Sequence, residues 1–351
     1  MRSLESPVVA VDLFCGAGGL SLGLQQAGIH VVAGIDLDPA CQYPFERNLK
    51  AKYLLEDVAQ LSGEDLRQLW GNAEYKLLAG CAPCQPFSSH RRGADTSAEE
   101  NWDLLSHFGR LVADSKPHLV TMENVSRLQR MPVFIQFVAT LDELGYSVDF
   151  GTLYGPEFGL PQERRRLVLV ASHIGSIELP QGSRKKFKTV RQAIGKLPPL
   201  ENGESDPNDA LHTARRLSPV NLQRMKESKP GGTWRDWPEN LVAPCHRKAS
   251  GASFQAFYGR MVWDSPSPTI TTQSYNFGTG RFGHPEQDRS LTLREAAMLQ
   301  GFPRAYRFVP RAERPSMQTV GRLIGNAVPP VFGKAVGRKL LETVRRHQGE
   351  G

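Results

Sequence analysis

Short apolar runs recur at intervals over the first 172 residues of the chain. Each run is too short for a helix and ends in glycine or polar residues, which predicts buried β-strands. The runs cover residues 8–14, 30–35, 75–79, 118–122 and 167–171.

Segments of helical period lie between these runs, over residues 20–27, 104–113 and 133–144. Gly28 suits the C-terminal cap of the first helix, and Pro39 suits the first position of another. Strands and helices in alternation predict an α/β fold, a mostly parallel sheet with helices on both faces.

The pattern changes near residue 181. Pro, Gly, Ser and basic residues dominate from there, helical segments are short (190–197 and 293–299), and a longer helical period returns over 331–346. We therefore predict an α/β domain over residues 1–180, a smaller irregular domain over 181–322, and a C-terminal segment over 323–351 that returns to the first domain.

The net charge of +7 is unevenly distributed. Residues 1–180 hold 15 basic and 22 acidic side chains, whereas residues 181–322 hold 23 and 12. A basic segment of this kind fits a module that follows nucleic-acid phosphates, and it equally fits a solvated basic surface.

Three further features narrow the class of protein. No apolar stretch approaches the roughly 20 residues of a membrane span, and residues 1–7 lack a signal-peptide core. The five cysteines are an odd number without framework spacing, which favours reduced thiols in a cytoplasmic protein.

A glycine-rich loop, Cys15-Gly16-Ala17-Gly18-Gly19, separates the first strand from the first helix. Such loops let a ligand approach backbone amides and a helix N-terminus. Asp36 ends the second strand, where a carboxylate accepts ribose hydroxyls, and Asp57 follows a third candidate strand, where it would receive an adenine amino group. The loop therefore predicts a cofactor that contains adenosine, and it does not distinguish a nicotinamide cofactor from S-adenosylmethionine. The alternative is a purely structural turn.

A second loop, Gly80-Cys81-Ala82-Pro83-Cys84-Gln85, follows the strand at 75–79. Cys84 has three interpretations: an inert thiol, half of a C-x-x-C zinc or redox pair with Cys81, or a nucleophile held by a stiff loop. The zinc interpretation lacks a second pair, because Cys245 with His246 is the only other candidate, so we predict no metal.

Acidic and basic side chains flank two later strands. Glu123 ends the strand at 118–122 and should point toward the cysteine loop, where it would share a proton with a ring nitrogen; the alternative is a surface cap. Arg164 and Arg166 precede the strand at 167–171 and should point together, with Arg165 pointing away. Two such guanidinium groups suit a phosphate or a carbonyl oxygen, or belong to a solvated turn.

Taken together, these segments resemble the cytosine-C5 DNA methyltransferase family. The matching motifs follow the family's order over nearly the whole chain. Each is weak alone, but their shared order is specific. They lie at residues 12–19, 34–40, 83–88, 123–125, 162–166, 267–271, 294–297 and 325–330.

The resemblance implies a Rossmann-like methyltransferase sheet and a covalent mechanism. Cys84 would add to carbon 6 of cytosine, so that carbon 5 attacks the methyl group of S-adenosylmethionine. Glu123 would bind N3 and the exocyclic amine, Arg166 would hold O2, and Arg164 would brace Glu123 or a phosphate. The implied cofactor pocket comprises Phe14, Gly16, Gly19, Asp36, Leu37, Asp57, Val58, Pro83, Leu104, Asn326 and Val328.

The resemblance also implies double-stranded DNA as the partner and rotation of the target base out of the helix. The segment 181–322 would be the target-recognition domain of a monomeric bacterial or phage enzyme. A partner restriction endonuclease and the DNA target stay open. Candidate DNA contacts are Gln85, Ser88, Arg235, Arg247, Lys248 and Arg260.

Three rival functions are a transfer-RNA cytosine methyltransferase of the same family, a catalytically inactive DNA-binding relative and a nicotinamide dehydrogenase. The long basic segment argues against the first. Intact Cys84, Glu123 and Arg166 argue against the second, and the cysteine loop is unexplained by the third.

Overall fold

The computed structural model describes residues 6–83, 99–183, 185–248, 251 and 256–349, with backbone alone for residues 99–103. The chain forms two compact units. The first comprises Met1–Phe158, Arg165–Ser183 and Val328–Gly351, and the second comprises Gly159–Arg164 and Arg184–Ala327. The return to the first unit therefore occurs at Val328, five residues later than the predicted boundary at residue 323.

The first unit contains a seven-stranded sheet in the order β3-β2-β1-β4-β5-β7-β6. Strands β1 to β5 are parallel, and β7 runs antiparallel to both β5 and β6. The strands are β1 (Val8–Leu13), β2 (His30–Asp36), β3 (Lys52–Leu55), β4 (Tyr75–Gly80), β5 (Leu119–Asn124), β6 (Ser147–Tyr154) and β7 (Arg165–Ser172).

All five predicted strands are confirmed, with ends shifted by at most two residues. The edge strand β6 was not predicted from the pattern, because most of its side chains are half-buried on both faces and give no apolar run. The chain order reverses between β1 and β4, and in open α/β sheets ligands bind at such a reversal, beyond the carboxyl ends of the strands.

Helices cover the sheet in two groups. Helices α3, α4 and α5 pack side by side over Val11 and Leu13 of β1, and α1 packs against α2 and the last helix, α10. The helices of this unit are α1 (Gly19–Ala27), α2 (Gln42–Leu49), α3 (Gly63–Trp70), α4 (Glu99–Ser115), α5 (Pro132–Glu143) and α10 (Pro330–His347).

Glycines set the distance between α1 and α10. A Cβ on Gly23 would lie 2.2 Å from the carbonyl oxygen of Pro330, and a Cβ on Gly333 would lie 2.5 Å from that of Leu20. Neither position tolerates a side chain, so the two backbones approach closely and the C-terminal helix is part of the first unit.

The second unit contains short helices joined by long loops. Its helices are α6 (Val190–Ile194), α7 (Pro219–Glu227), α8 (Leu293–Leu299) and α9 (Met317–Asn326), of which the sequence predicted α6 and α8. An apolar cluster contains Met225, Trp234, Trp237, Leu241 and Phe277.

Buried charges also hold this unit together. The Arg289 guanidinium makes two hydrogen bonds of 2.8 Å to the Glu295 carboxylate, and both side chains are fully buried. Burial alone would raise the pKa of Glu295, but Arg289 outweighs it and lowers the pKa to about 2. The pair is therefore ionised at neutral pH.

Glu295→Gln should lower the free energy of unfolding by about 3 kcal/mol, because Arg289 would keep its charge without a counter-ion. Urea unfolding at neutral pH measures the effect. The matched control is Asp264→Asn, which breaks the exposed pair of Arg191 and Asp264 and should leave the urea midpoint unchanged. Equal effects of both substitutions would contradict a special contribution of the buried pair.

None of the helices in the described parts of the chain is both long and apolar enough to cross a membrane.

Candidate active site

The glycine loop after β1 has a strained backbone. Phe14 adopts φ 55°, Gly16 φ 53° and Gly18 φ 80°. The left-handed region suits glycine but costs free energy at Phe14. A Cβ on Gly16 would meet no atom within 4 Å, so open space borders the loop at this residue. Gly19 then begins α1, whose N-cap has no side-chain hydrogen bond.

Asp36 at the end of β2 holds this loop. Its Oδ2 accepts a hydrogen bond of 2.9 Å from the Gly16 amide, and its Oδ1 accepts one of 3.0 Å from the Asp38 amide. Burial raises the pKa of Asp36, while these amides oppose the shift. The next side chain, Leu37, is 62% exposed. A carboxylate with remaining lone pairs beside an exposed leucine and open space fits the ribose and adenine of an adenosine-bearing cofactor.

The remaining predicted cofactor residues of the first unit differ in exposure. Asp57 is half-buried and accepts a hydrogen bond of 2.9 Å from the Ala59 amide, Leu104 is half-buried against the core, and Pro83 is exposed. Val58 is 2% exposed within the apolar core, and Val328 is also buried. The side chain of Val58 therefore belongs to the core. Asn326 is exposed and belongs to the second unit.

The cysteine loop is described as far as Pro83; Cys84, Gln85 and Ser88 lie outside the described residues. Its first residues are tied to the sheet on both sides. The Cys81 amide donates to the Leu13 carbonyl oxygen at 3.2 Å, and the Asn124 side-chain amide donates to the Ala82 carbonyl oxygen at 2.9 Å. The loop therefore leaves the sheet between the carboxyl ends of β1 and β5.

Glu123 lies beside this loop, as its place at the end of β5 predicted. Its side chain is buried, and its Oε1 lies 3.2 Å from Arg166 Nε. Arg166 reaches it because the antiparallel β7 begins at the edge of the sheet where β5 ends. No described residue gives Oε1 a well-aligned hydrogen bond, so this buried oxygen can accept one from a ligand.

Arg164 has a different environment from Arg166. The prediction that the two point together assumed one strand, but β7 begins at Arg165, and Arg164 belongs to the second unit. The buried Arg164 guanidinium donates to the carbonyl oxygens of Ile270, Gly325 and Ala327. Arg165 is exposed as expected and stacks on Tyr154 at 4.1 Å.

The candidate DNA contacts of the second unit divide into two groups. Arg235, Arg247 and Lys248 are exposed. Arg260 is 4% exposed and donates to Asp288 and to the carbonyl oxygens of Met225, Ser228, His284 and Gln287. These bonds use all five N–H groups of the guanidinium, so the prediction of Arg260 as a DNA contact is wrong and the residue is structural.

Asp12 is a buried acid that sequence reasoning did not single out. The Ser21 hydroxyl donates to its Oδ2 at 2.6 Å, and its Oδ1 has no hydrogen-bond partner among the described residues. Burial, with a smaller contribution from the Asp36 charge, raises the pKa of Asp12 to about 7. Its position on β1, facing α1, shows only once the strand is paired.

The raised pKa of Asp12 predicts a pH-dependent stability. The folded protein binds the proton more tightly than the unfolded chain, so Asp12 destabilises the fold increasingly as pH rises from about 4 to about 7. Asp12→Asn should therefore match the wild type near pH 4 and exceed it by on the order of 2–4 kcal/mol above pH 7. Urea unfolding across this pH range measures both free energies of unfolding. If the two proteins differed by the same amount at every pH, the raised pKa of Asp12 would be contradicted.

Comparisons with known proteins agree with one another. A family model described as C-5 cytosine-specific DNA methylase matches residues 8–342. The chain is 44% identical over 335 residues to the type II methylase M.HgiDII of Herpetosiphon aurantiacus, covering 94% of each protein. It is 33% identical over 344 residues to the type II methyltransferase M1.HphI of Haemophilus parahaemolyticus, covering 95% of this chain and 86% of that protein.

Solved structures share the fold. A protein described as a DNA modification methyltransferase encoded within an E. coli prophage aligns with a TM-score of 0.74 at 20% identity, covering 96% of this chain and 99% of that one. The Dnmt2 methyltransferase of S. pombe aligns with a TM-score of 0.61 at 17% identity, covering 98% and 99%. The α/β fold is therefore that of a Rossmann-like methyltransferase.

Proposed function

This chain belongs to the C-5 cytosine-specific DNA methylase family, and we propose that it transfers a methyl group from S-adenosylmethionine to carbon 5 of a cytosine rotated out of double-stranded DNA. The observation that carries the proposal is the buried Glu123 carboxylate beside the cysteine loop, paired with Arg166 and with an Oε1 that accepts no well-aligned hydrogen bond from the described residues. This arrangement suits the N3 edge of cytosine.

S-adenosylmethionine, when bound, supplies an electrophilic methyl group. The strained glycine loop and Asp36 would hold its ribose, and the exposed Leu37 would contact its adenine. The supporting observations are the open space beside Gly16 and the carboxylate oxygens of Asp36 that already face the loop. Asp57, Val58, Pro83, Leu104 and Val328 complete the proposed pocket by resemblance.

Asp36→Asn should weaken S-adenosylmethionine binding by about tenfold, because an amide cannot accept two ribose hydroxyls and also the Gly16 amide. Isothermal titration without DNA measures the affinity directly. The control is Asp142→Asn, an exposed residue at the end of α5, for which the affinity should stay at the wild-type value. An unchanged affinity of Asp36→Asn would remove Asp36 from the pocket.

The chemistry proposed for Cys84 follows from the weak nucleophilicity of cytosine carbon 5. The Cys84 thiolate forms a bond to carbon 6, which places electron density on carbon 5 and lets it take the methyl group. Loss of the carbon-5 proton to solvent then restores the double bond as the sulfur–carbon bond breaks. The electron pair of the bond between carbon 5 and hydrogen re-forms the double bond, and the pair of the sulfur–carbon bond returns to Cys84 as the thiolate.

Glu123 and Arg166 would stabilise the ring while sulfur is attached. Oε1 of Glu123 would bond to N3, where negative charge develops, through a proton shared between them. Arg166 would keep the carboxylate in place and reach O2 of the base. Arg164 would act indirectly, since its bonds to three carbonyl oxygens fix the segment that leads into β7.

The second unit is proposed as the module that reads DNA. Its charge excess and the exposed Arg235, Arg247 and Lys248 suit phosphate contacts, while Gln85 and Ser88 of the catalytic loop are proposed to contact DNA near the rotated base. The similarity to type II methylases also suggests a partner restriction endonuclease, which would share the DNA target.

The direct test is bisulfite sequencing of DNA from a host that expresses the protein. Protected cytosines within one short sequence are expected, and they would give the target. Purified protein should also transfer labelled methyl groups to duplex DNA carrying that sequence and not to transfer RNA. Methylation of transfer RNA alone would replace the proposal with the transfer-RNA activity.

A further inference from the structure

Cys81 is a thiol in contact with the carboxylate that is proposed to be catalytic. Its Sγ lies 3.1 Å from Oε2 of Glu123. The thiol is the donor in this contact, because an ionised carboxylate only accepts hydrogen bonds. Burial, followed by the negative charge of Glu123, raises the pKa of Cys81 well above its usual value. Cys81 therefore remains a neutral S–H group at neutral pH.

The backbone leaves this thiol little freedom to point elsewhere. Gly80 of β4 pairs with Met122 of β5, so the next residues along the two parallel strands are Cys81 and Glu123. The Cys81 amide is bonded to the Leu13 carbonyl oxygen on the opposite side. The position of Sγ beside Oε2 thus follows from the register of the sheet.

The two oxygens of Glu123 consequently have different partners. Oε2 accepts the Cys81 thiol, while Oε1 lies beside Arg166 and accepts no well-aligned hydrogen bond from the described residues. A carboxylate held at one oxygen cannot exchange its two oxygens by rotation. We propose that Cys81 is a positioning residue that holds Oε2 so that Oε1 of Glu123 faces the cytosine.

This inference rests on the proposed function and is tested on the same reaction. The probe is a duplex with 5-fluorocytosine at the target position. Fluorine replaces the carbon-5 proton and cannot be removed by a base, so the covalent complex accumulates. The rate of complex formation is measured across pH, at saturating DNA and S-adenosylmethionine, for the wild type, Cys81→Ala, Cys81→Val, Cys81→Ser and the double variant Cys81→Ala/Glu123→Gln. Melting temperatures and cofactor affinity report on folding.

Cys81→Ala and Cys81→Val should slow complex formation about five- to tenfold, as expected for loss of a hydrogen bond from a weak thiol donor. Glu123→Gln should remove one limb of the pH–rate profile. In Cys81→Ala and Cys81→Val this limb should move to higher pH, because the ionised Glu123 carboxylate loses a hydrogen-bond donor. Cys81→Ser keeps a donor and should restore most of the rate and the profile. Cys81→Ala should have no further effect in the Glu123→Gln background.

Three outcomes would overturn the inference. The first is a wild-type rate and pH profile in both Cys81→Ala and Cys81→Val, and the second is a Cys81→Ser protein as slow as Cys81→Ala. The third is that Cys81→Ala slows complex formation as much in the Glu123→Gln protein as in the wild type. Cys81→Val leaves no cavity at the thiol position and decides the matter should Cys81→Ala fail to fold. A wild-type protein that forms no covalent complex on its methylation target would instead contradict the proposed function.

Discussion

Cys84→Ala should reduce methyl transfer by at least about 10⁴-fold, to the background of the assay, because it removes the atom that bonds to carbon 6. Labelled methyl transfer to duplex DNA measures the loss. No covalent complex should form on a 5-fluorocytosine duplex. The affinity for S-adenosylmethionine should remain at the wild-type value, since the proposed pocket includes Pro83 but not Cys84.

The control for thiol loss is Cys245→Ala. Cys245 is an exposed free cysteine in the second unit, and its replacement should leave methyl transfer unchanged. A Cys84→Ala protein that still methylates cytosine would rule out the covalent mechanism, and a redox or zinc function for the C-x-x-C pair would then be reconsidered.

Glu123→Gln should slow formation of the covalent complex by about 10²- to 10³-fold, the usual loss on removal of a general acid. Glutamine has the size of glutamate and retains an oxygen, but it cannot share a proton with N3 of cytosine. The measurement is the single-turnover rate of trapping on the 5-fluorocytosine duplex. Because the Glu123 side chain is buried beside Arg166, the melting temperature of the Glu123→Gln protein is recorded in parallel.

The control for this substitution is Glu143→Gln at the exposed end of α5. It removes the same charge from the same unit and should leave trapping at the wild-type rate. Unchanged kinetics in Glu123→Gln would exclude Glu123 from the reaction and would leave the proposed stabilisation of the ring to Arg166.

The sheet was largely predictable from the sequence, because five of its strands are buried apolar runs of the expected length. Strand β6 was not, since a half-buried edge strand has no distinctive pattern. Helix α9 was not predicted for a different reason. Its apolar residues recur at helical spacing, but the helix is short and lies among loop residues.

Residues at strand ends were predicted better than residues chosen by charge. The location of Glu123 beside the cysteine loop followed from its place at the end of β5, because β5 lies next to β4, the strand from which the loop leaves. Arg260 was chosen as a basic residue in a basic segment, yet the second unit uses such residues in its interior. The contact between Cys81 and Glu123 depended on the register between β4 and β5, which the sequence does not specify.

The chain order of the first unit has a consequence for synthesis. All seven strands and α1 precede Arg184–Ala327, the main part of the second unit, but α10, which packs on α1 at Gly23 and Gly333, follows it. A nascent chain on the ribosome therefore displays the glycine loop and the sheet well before it contains the helix that covers α1. The face of α1 that packs on α10 stays uncovered until translation has passed residue 330, so the first unit is completed only after the second unit has been synthesised.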